Sequence, residues 1–85
     1  MRAYVLLRTK PGTSEEVIRA LRGTRQVEGV VMADSVFGRF DAIIVIEVPN
    51  LKALAEATYQ VLEKSPNIIH TETAISLFEE PLKRG

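Results

Sequence analysis

A chain of 85 residues, 46% hydrophobic and 26% charged, predicts a single folded domain, since domains typically span about 50 to 250 residues. This composition excludes a disordered tail, a collagen and a disulfide-stapled secreted fragment. Eleven basic residues balance eleven acidic ones, so the cationic excess that binds phosphate backbones is missing and no direct nucleic-acid partner is expected.

The first apolar run, residues 3–7, is short and bounded by charged residues. It predicts a strand buried on both faces, and it is too short for the apolar centre of a signal peptide. No other uncharged apolar run approaches the ~20 residues of a membrane-spanning helix. We therefore expect a cytoplasmic protein with no membrane partner.

The second predicted element is a helix that begins at Thr13. Glu16 follows three residues later, which is the spacing of a capping box. The next apolar residues have helical spacing: Val17, Ile18 and Leu21. Gly23 is expected to end this helix.

Two strands are predicted next, over residues 30–37 and 41–48, because both segments are rich in branched apolar residues. Gly38-Arg39-Phe40 lies between them as a tight link. We expect the two strands to form an antiparallel hairpin.

A second helix and a last strand complete the pattern. Asn50 is a plausible N-cap, and Pro66 ends the helix. This helix has an apolar stripe, and Tyr59, which lies one position from it, is interpreted as a packing residue. Residues 68–78 predict a strand that ends before Pro81. The stripe itself consists of Leu51, Leu54, Ala55, Thr58, Val61 and Leu62.

The order β-α-β-β-α-β predicts an α+β, ferredoxin-like fold with a four-stranded antiparallel sheet and two helices on one face. Residues 3–7 and 42–46 carry no charge, whereas the other strands carry Asp34, His70 and Glu72. Uncharged strands belong at the centre of a sheet. The expected strand order is therefore 4-1-3-2.

Both faces of the two central strands are apolar, although two helices cover only one face. Tyr4 and Leu6 alternate with Val5 and Leu7, and residues 43–46 repeat the pattern. An uncovered apolar face predicts a partner, and a second copy is the simplest one. We expect a face-to-face dimer of the α/β-barrel type, with the charged tail 79–85 either frayed or lying along it.

Residues for catalysis are mostly absent from the sequence. There is no cysteine, which excludes thiolate nucleophiles, and His70 is the only histidine, which excludes a histidine pair for a metal within one chain. We interpret His70 as a surface or interface residue and expect neither a metal nor a cofactor.

Polar residues gather at two places that together suit a free amino acid. Gly38, Arg39, Phe40 and Asp41 combine an accessible backbone, a guanidinium, a ring and a carboxylate, whereas the last strand offers two threonine hydroxyls on one face. The residue types alone favour purely structural roles over this binding role: Gly38 and Asp41 are also common turn residues, and threonines are common in edge strands. The two threonines are Thr71 and Thr73.

Residues 36–45, the second helix and residues 68–75 together resemble the ligand-binding domain of the Lrp/AsnC family, also called the RAM domain. The family pattern is glycine-x-x-aspartate between the second and third strands, here Gly38 and Asp41, and threonine-x-threonine in the fourth, here Thr71 and Thr73. The resemblance implies an amino-acid effector pocket at these residues, with the threonines contributed by a neighbouring subunit. It also implies sheet-to-sheet dimers that assemble into larger rings, with the pocket between dimers.

Full-length regulators of this family carry a helix-turn-helix domain before this one, whereas here the first strand begins at residue 3. The resemblance therefore implies a single, stand-alone RAM domain over residues 1–85 that does not itself bind DNA.

Three functions stay open. The first is a non-catalytic, oligomeric amino-acid sensor or transcription-regulatory module. The second is a dimeric α/β-barrel enzyme, such as a cofactor-independent monooxygenase, with His70 or Tyr59 as the acid or base. The third is a structural partner that co-assembles with full-length Lrp/AsnC regulators without a ligand.

Overall fold

The computed structural model describes residues 1–23 and 27–78, which form one four-stranded antiparallel sheet and two helices. The expected tail 79–85 lies outside the described residues. The strands are ordered β2-β3-β1-β4, which confirms the ferredoxin-like βαββαβ fold and the central position of β1 and β3. In chain order the elements are β1 (Arg2–Thr9), α1 (Ser14–Arg22), β2 (Val30–Ser35), β3 (Ala42–Glu47), α2 (Leu51–Lys64) and β4 (Ile68–Ile75).

The core lies between the helices and one face of the sheet. Alternate residues of β1 are buried there, because successive side chains of a strand point to opposite faces. The helices contribute apolar residues at helical spacing to the same cluster. The main contributors are Ala3, Val5 and Leu7 of β1, Ile44 and Ile46 of β3, Val17, Ile18 and Leu21 of α1, and Leu54, Ala57 and Val61 of α2.

The three later strands are shorter than predicted. β2 ends at Ser35, since Val36 already donates its N–H to the carbonyl of Asp41 at 3.0 Å and closes the hairpin. The connection is therefore a longer hairpin link, residues 36–41, rather than a tight turn over Gly38-Arg39-Phe40. β4 ends at Ile75, which pairs with Ala3 near the start of β1, so no neighbouring strand continues far enough to extend it.

The two predicted helix caps have different outcomes. Asn50 caps α2 as expected, and its side chain accepts a hydrogen bond from the N–H of Ala53 at 2.9 Å. The capping box at Thr13 and Glu16 is wrong: Thr13 has a helical backbone, and its hydroxyl donates to the carbonyl of Lys10 at 2.7 Å. The extended backbone that an N-cap needs is absent, because Thr13 completes the turn that follows β1.

The predicted apolar stripe of α2 is only partly buried. Leu54 and Val61 pack in the core, joined by Ala57, which the stripe did not include. Leu51 is 61% exposed and Tyr59 is 67% exposed, so the interpretation of Tyr59 as a packing residue is wrong. Only part of the apolar surface of α2 contacts the sheet. The rest of that surface faces away from the core.

The second face of the sheet carries no helix. This open face is formed by Tyr4, Leu6, Ile43 and Val45, where Tyr4 pairs with Val45 and Leu6 pairs with Ile43. Val45 is buried by its neighbours on this face, whereas Tyr4 is exposed. The uncovered apolar face expected from the alternation is therefore present.

An ion pair between Arg2 and Glu47 lies at one end of the open face. The guanidinium of Arg2 lies 2.6 Å from the Glu47 carboxylate, and the side-chain hydrogen bond to Glu47 is the main reason why the pKa of Arg2 is raised. Within residues 1–23 and 27–78, no helix is long and apolar enough to cross a membrane.

Candidate functional site

Asp41 is held firmly at the start of β3. Its backbone N–H donates to the carbonyl of Leu7 at 2.9 Å, and its backbone carbonyl accepts from Val36 at 3.0 Å. Its carboxylate oxygen Oδ2 accepts a hydrogen bond from the N–H of Thr9 at 2.9 Å. In the described part of the chain the other oxygen, Oδ1, has no hydrogen-bond partner. The half-buried carboxylate is thus oriented and keeps one acceptor oxygen available for a cation.

The rest of the hairpin link projects from the end of the sheet. Gly38 has a φ of +150°, and a Cβ placed there would meet no atom within 4 Å, so its backbone is accessible to another molecule. The guanidinium of Arg39 lies 6.0 Å from the centre of the Phe40 ring, which is cation–π range. Phe37 is fully exposed. The hairpin link therefore offers accessible backbone at Gly38, the positive charge of Arg39 and the aromatic rings of Phe37 and Phe40.

Thr71 and Thr73 lie on one face of β4, as predicted. They pair with Leu7 and Val5 of β1, so they share the sheet face that carries the helices. Thr73 also lines a groove of about 370 Å³ between β4 and α2. This α2 groove is formed by Leu51, Leu54, Ala55, Thr58, Tyr59 and Thr73.

One chain does not bring the two polar groups into one pocket. Leu7 of β1 pairs with Ala42 on one side and with Thr71 on the other, so β1 lies between the hairpin link and the threonines. Two strand spacings separate the backbones at this level by about 10 Å. Within one chain, Asp41 and Thr73 therefore lie on either side of β1.

The two acid–base candidates of the enzyme hypothesis lie in different parts of the molecule. His70 is exposed and pairs with Arg8, which places it on the helix-free face of the sheet. Tyr59 is exposed on α2, on the opposite side. The described residues contain no group of three His, Asp or Glu side chains that could hold a metal ion.

The α2 groove was not predicted from the sequence. The sequence feature that could have indicated it is the width of the apolar stripe of α2. The stripe covers more of the helix surface than a single contact with the sheet can bury. Leu51, Ala55 and Tyr59 are the lining residues that this signal could have identified.

The sequence matches the family model described as the Lrp/AsnC ligand binding domain over residues 2–84. The chain belongs to this family. The Lrp/AsnC resemblance noted from residues 36–45 and 68–75 is thereby confirmed. No curated protein matched the sequence significantly.

Solved structures of similar length have the same fold. The hypothetical protein PHS023 from Pyrococcus horikoshii is 31% identical, with a TM-score of 0.75, and the match covers 92% of this chain and 90% of that one. FFRP-DM1 is 30% identical, with a TM-score of 0.72, and the match covers 89% of this chain and 97% of that one.

A more distant structure was solved with an amino acid. The transcriptional regulator NMB0573 from Neisseria meningitidis, in complex with L-Met, is 12% identical with a TM-score of 0.74. The match covers 95% of this Lrp/AsnC domain and 52% of the regulator, and at this identity it shows a common fold.

Proposed function

We propose that this Lrp/AsnC domain is a non-catalytic regulatory module that binds a free amino acid between subunits and changes its assembly in response. The observation that carries the proposal is the Asp41 carboxylate, which Thr9 orients through Oδ2 while Oδ1 keeps no partner among the described residues. A fixed, half-buried acceptor of this kind suits an ammonium group, which has three donors and no acceptor. Family membership and the L-Met complex of the Neisseria regulator support an amino acid as the ligand.

The remaining site residues supply the other requirements of an amino acid. The backbone of Gly38 and the hydroxyls of Thr71 and Thr73 offer hydrogen bonds to a carboxylate, and Arg39 offers a charge. Phe40 offers an apolar wall for the side chain. Since β1 separates Asp41 from the threonines within a chain, we place the threonines of this site on a neighbouring subunit.

Dimerisation through the open face completes the proposal. Tyr4, Leu6, Ile43 and Val45 present apolar surface that no helix covers, and a second copy hides such a surface without a further component. A ligand that binds one assembly better than another shifts the population toward it by the difference in affinity. The protein would then act by changing its own association, or by joining full-length regulators, in the cytoplasm.

Titration calorimetry against the twenty standard amino acids, with sedimentation velocity in parallel, tests the proposal. We expect one or a few amino acids to bind and to change the sedimentation coefficient. Absence of binding together with an unchanged assembly would overturn the sensor role. Co-purification with a full-length regulator in the absence of any amino acid would instead support the structural-partner hypothesis.

A further inference from the structure

The outer side of β2 carries backbone groups that point away from the sheet. β2 is an edge strand, and only β3 pairs with it. Val36 donates its N–H to the carbonyl of Asp41, which makes these two residues a hydrogen-bonded pair. Such pairs alternate with non-hydrogen-bonded pairs along an antiparallel ladder, so Ser35 and Ala33 belong to the second kind. Their N–H and C=O groups therefore point outward, and we call this row the β2 edge.

Arg22 binds the carbonyl of Ala33 on the β2 edge. It is the last residue of α1, and its Nε lies 2.7 Å from the carbonyl oxygen of Ala33. Nη2 donates to the same oxygen, and it also lies 2.8 Å from Oδ1 of Asp34. One guanidinium therefore covers the middle of the β2 edge with a charged group.

The ion pair with Asp34 does not by itself account for this arrangement. The side chains of Arg22 and Asp34 are 57% and 50% exposed, and an ion pair so accessible to water contributes little to stability. The carbonyl of Ala33 receives two N–H donors from the same side chain, although water can satisfy a carbonyl at a sheet edge. A guanidinium differs from water because an incoming strand must displace and desolvate a charge to reach that carbonyl.

Two further features also limit strand addition at the β2 edge. The register shifts between Val30 and Met32, so Val31 forms a bulge, which bends an edge strand and interrupts pairing. At the other end of β2, the hydroxyl of Ser35 donates to the hydroxyl of Ser14 in α1 at 3.2 Å. Val31 and Met32 are 58% and 46% exposed, and exposed apolar residues make an edge strand prone to pair with another chain.

We propose that Arg22 protects the β2 edge and prevents β2 of a second copy from adding to the sheet. Without the guanidinium, Ala33 of one copy can face Ala33 of the other across a two-fold axis and exchange both backbone hydrogen bonds with it. Met32 of each copy then lies opposite Asp34 of the other, so no like charges face each other directly. Two four-stranded sheets would join edge to edge, and the open face would take no part.

Arg22→Met tests this role, because methionine keeps an unbranched apolar stem and lacks the donors. Leu6→Lys serves as the parent chain, since a charge on the open face disfavours association there. β2 has only 6 residues, and pairing over it buries less than the roughly 1,000 Å² of a stable interface. We therefore expect a weak contact, in which Leu6→Lys/Arg22→Met approaches twice the mass of its parent by sedimentation equilibrium at about 1 mM. Each variant is compared with its own parent, whether or not that parent is a monomer.

Arg19→Met is the matched control, since Arg19 lies on the same helix and pairs with Glu15 at 3.2 Å rather than with β2. This variant adds the same apolar side chain and should keep the mass of the parent. Arg22→Lys retains a charged donor and should keep it as well. Ser35→Pro, added to Arg22→Met, removes an outward N–H and leaves the bonds to β3 in place, so it should abolish the new association.

Circular dichroism identifies the folded variants, and Arg22→Gln repeats the test with a polar side chain. A folded Arg22→Met chain with the mass of its parent would overturn the proposal and leave Arg22 as a link between α1 and β2. An equal increase in Arg19→Met, or an increase that Ser35→Pro does not reverse, would assign the association to another surface. Unfolding of both Arg22→Met and Arg22→Gln would show a role in stability instead. None of these results depends on whether an amino acid binds, so the proposed function is tested separately.

Discussion

The N–H of Thr9 donates to the carboxylate of Asp41 across 32 positions in the sequence. Thr9 ends β1 and is buried, so this bond joins the hairpin link to the central strand of the sheet. Asp41 therefore has a structural role as well as its proposed role in binding, and a substitution must separate the two.

Asp41→Asn separates them, because an amide oxygen can still accept the Thr9 hydrogen bond while the negative charge is lost. A hydrogen bond to a charged group is worth about 1.5–3 kcal/mol, so we expect amino-acid affinity to fall at least about tenfold by calorimetry. The free energy of unfolding should change little. Asp41→Ala loses both roles and should cost about 1 kcal/mol more in stability. Unchanged affinity in Asp41→Asn would show that the site lies elsewhere.

A site shared between subunits predicts complementation. Asp41→Asn and Thr73→Val should each bind the amino acid poorly alone. In an equal mixture with random subunit exchange, about a quarter of the sites should combine a native Asp41 from one chain with a native Thr73 from another, because each residue is native in half of the chains. Calorimetry on the mixture measures the recovered stoichiometry. No recovery after subunit exchange would indicate that both residues act within one chain.

Leu6 and Leu7 are neighbours on opposite faces of β1 and offer a matched test of the open face. Leu6→Lys places a charge on the helix-free face, so we expect a folded chain that sediments as a monomer. Leu7 is 0% exposed, and Leu7→Lys should unfold the domain, because an unpaired charge is costly in a core. Sedimentation velocity and circular dichroism distinguish these outcomes. A Leu6→Lys dimer would contradict the proposed interface, and so would a wild-type chain that is monomeric at every concentration.

Gly29 and Gly12 both have positive φ angles but differ in their surroundings. At Gly29, with φ +94°, a Cβ would lie 2.7 Å from Cγ1 of Val48, whereas at Gly12, with φ +79°, nothing lies within 4 Å. We expect Gly12→Ala to cost about 1 kcal/mol from backbone strain, and Gly29→Ala to cost about 2–4 kcal/mol because crowding is added. Urea denaturation at one fixed protein concentration measures both values. Equal costs would show that Val48 moves aside freely.

The cap of α2 is tested at Asn50. Asn50→Ala leaves the N–H of Ala53 without its acceptor and should lower the free energy of unfolding by about 1 kcal/mol. Asn50→Ser retains a side-chain acceptor and should cost less. The same urea series measures this difference, and a serine variant as unstable as the alanine variant would argue against capping as the cause.

Local patterns explain which parts of the fold were predictable. Glycine, proline and the apolar runs determine where elements begin and end, so the element order and the hairpin were identified correctly. The charges in β2 and β4 identified these strands as the edges. Thr13 shows the limit: its sequence spacing suits a cap, but the turn after β1 gives it a helical backbone, and that turn depends on contacts outside the motif.

The candidate site was only partly predictable for a similar reason. The motifs located Asp41 and the two threonines, yet nothing in their spacing indicates that Asp41 bonds to Thr9 or that β1 separates it from Thr71. The groove at Ala55 and Tyr59 could not be predicted. An apolar stripe shows which helix residues tend to be buried, but it does not show which of them the sheet covers.

The amino-acid sequence by itself determined the order of the elements, the central place of β1 and β3 and their two apolar faces, because these follow from residue types and short periodicities. Only the tertiary structure decided which half of the α2 stripe is buried and how Asp41 is oriented. It also decided that the hairpin link and Thr73 lie on either side of β1, because strand register and helix packing join residues that are far apart in the chain.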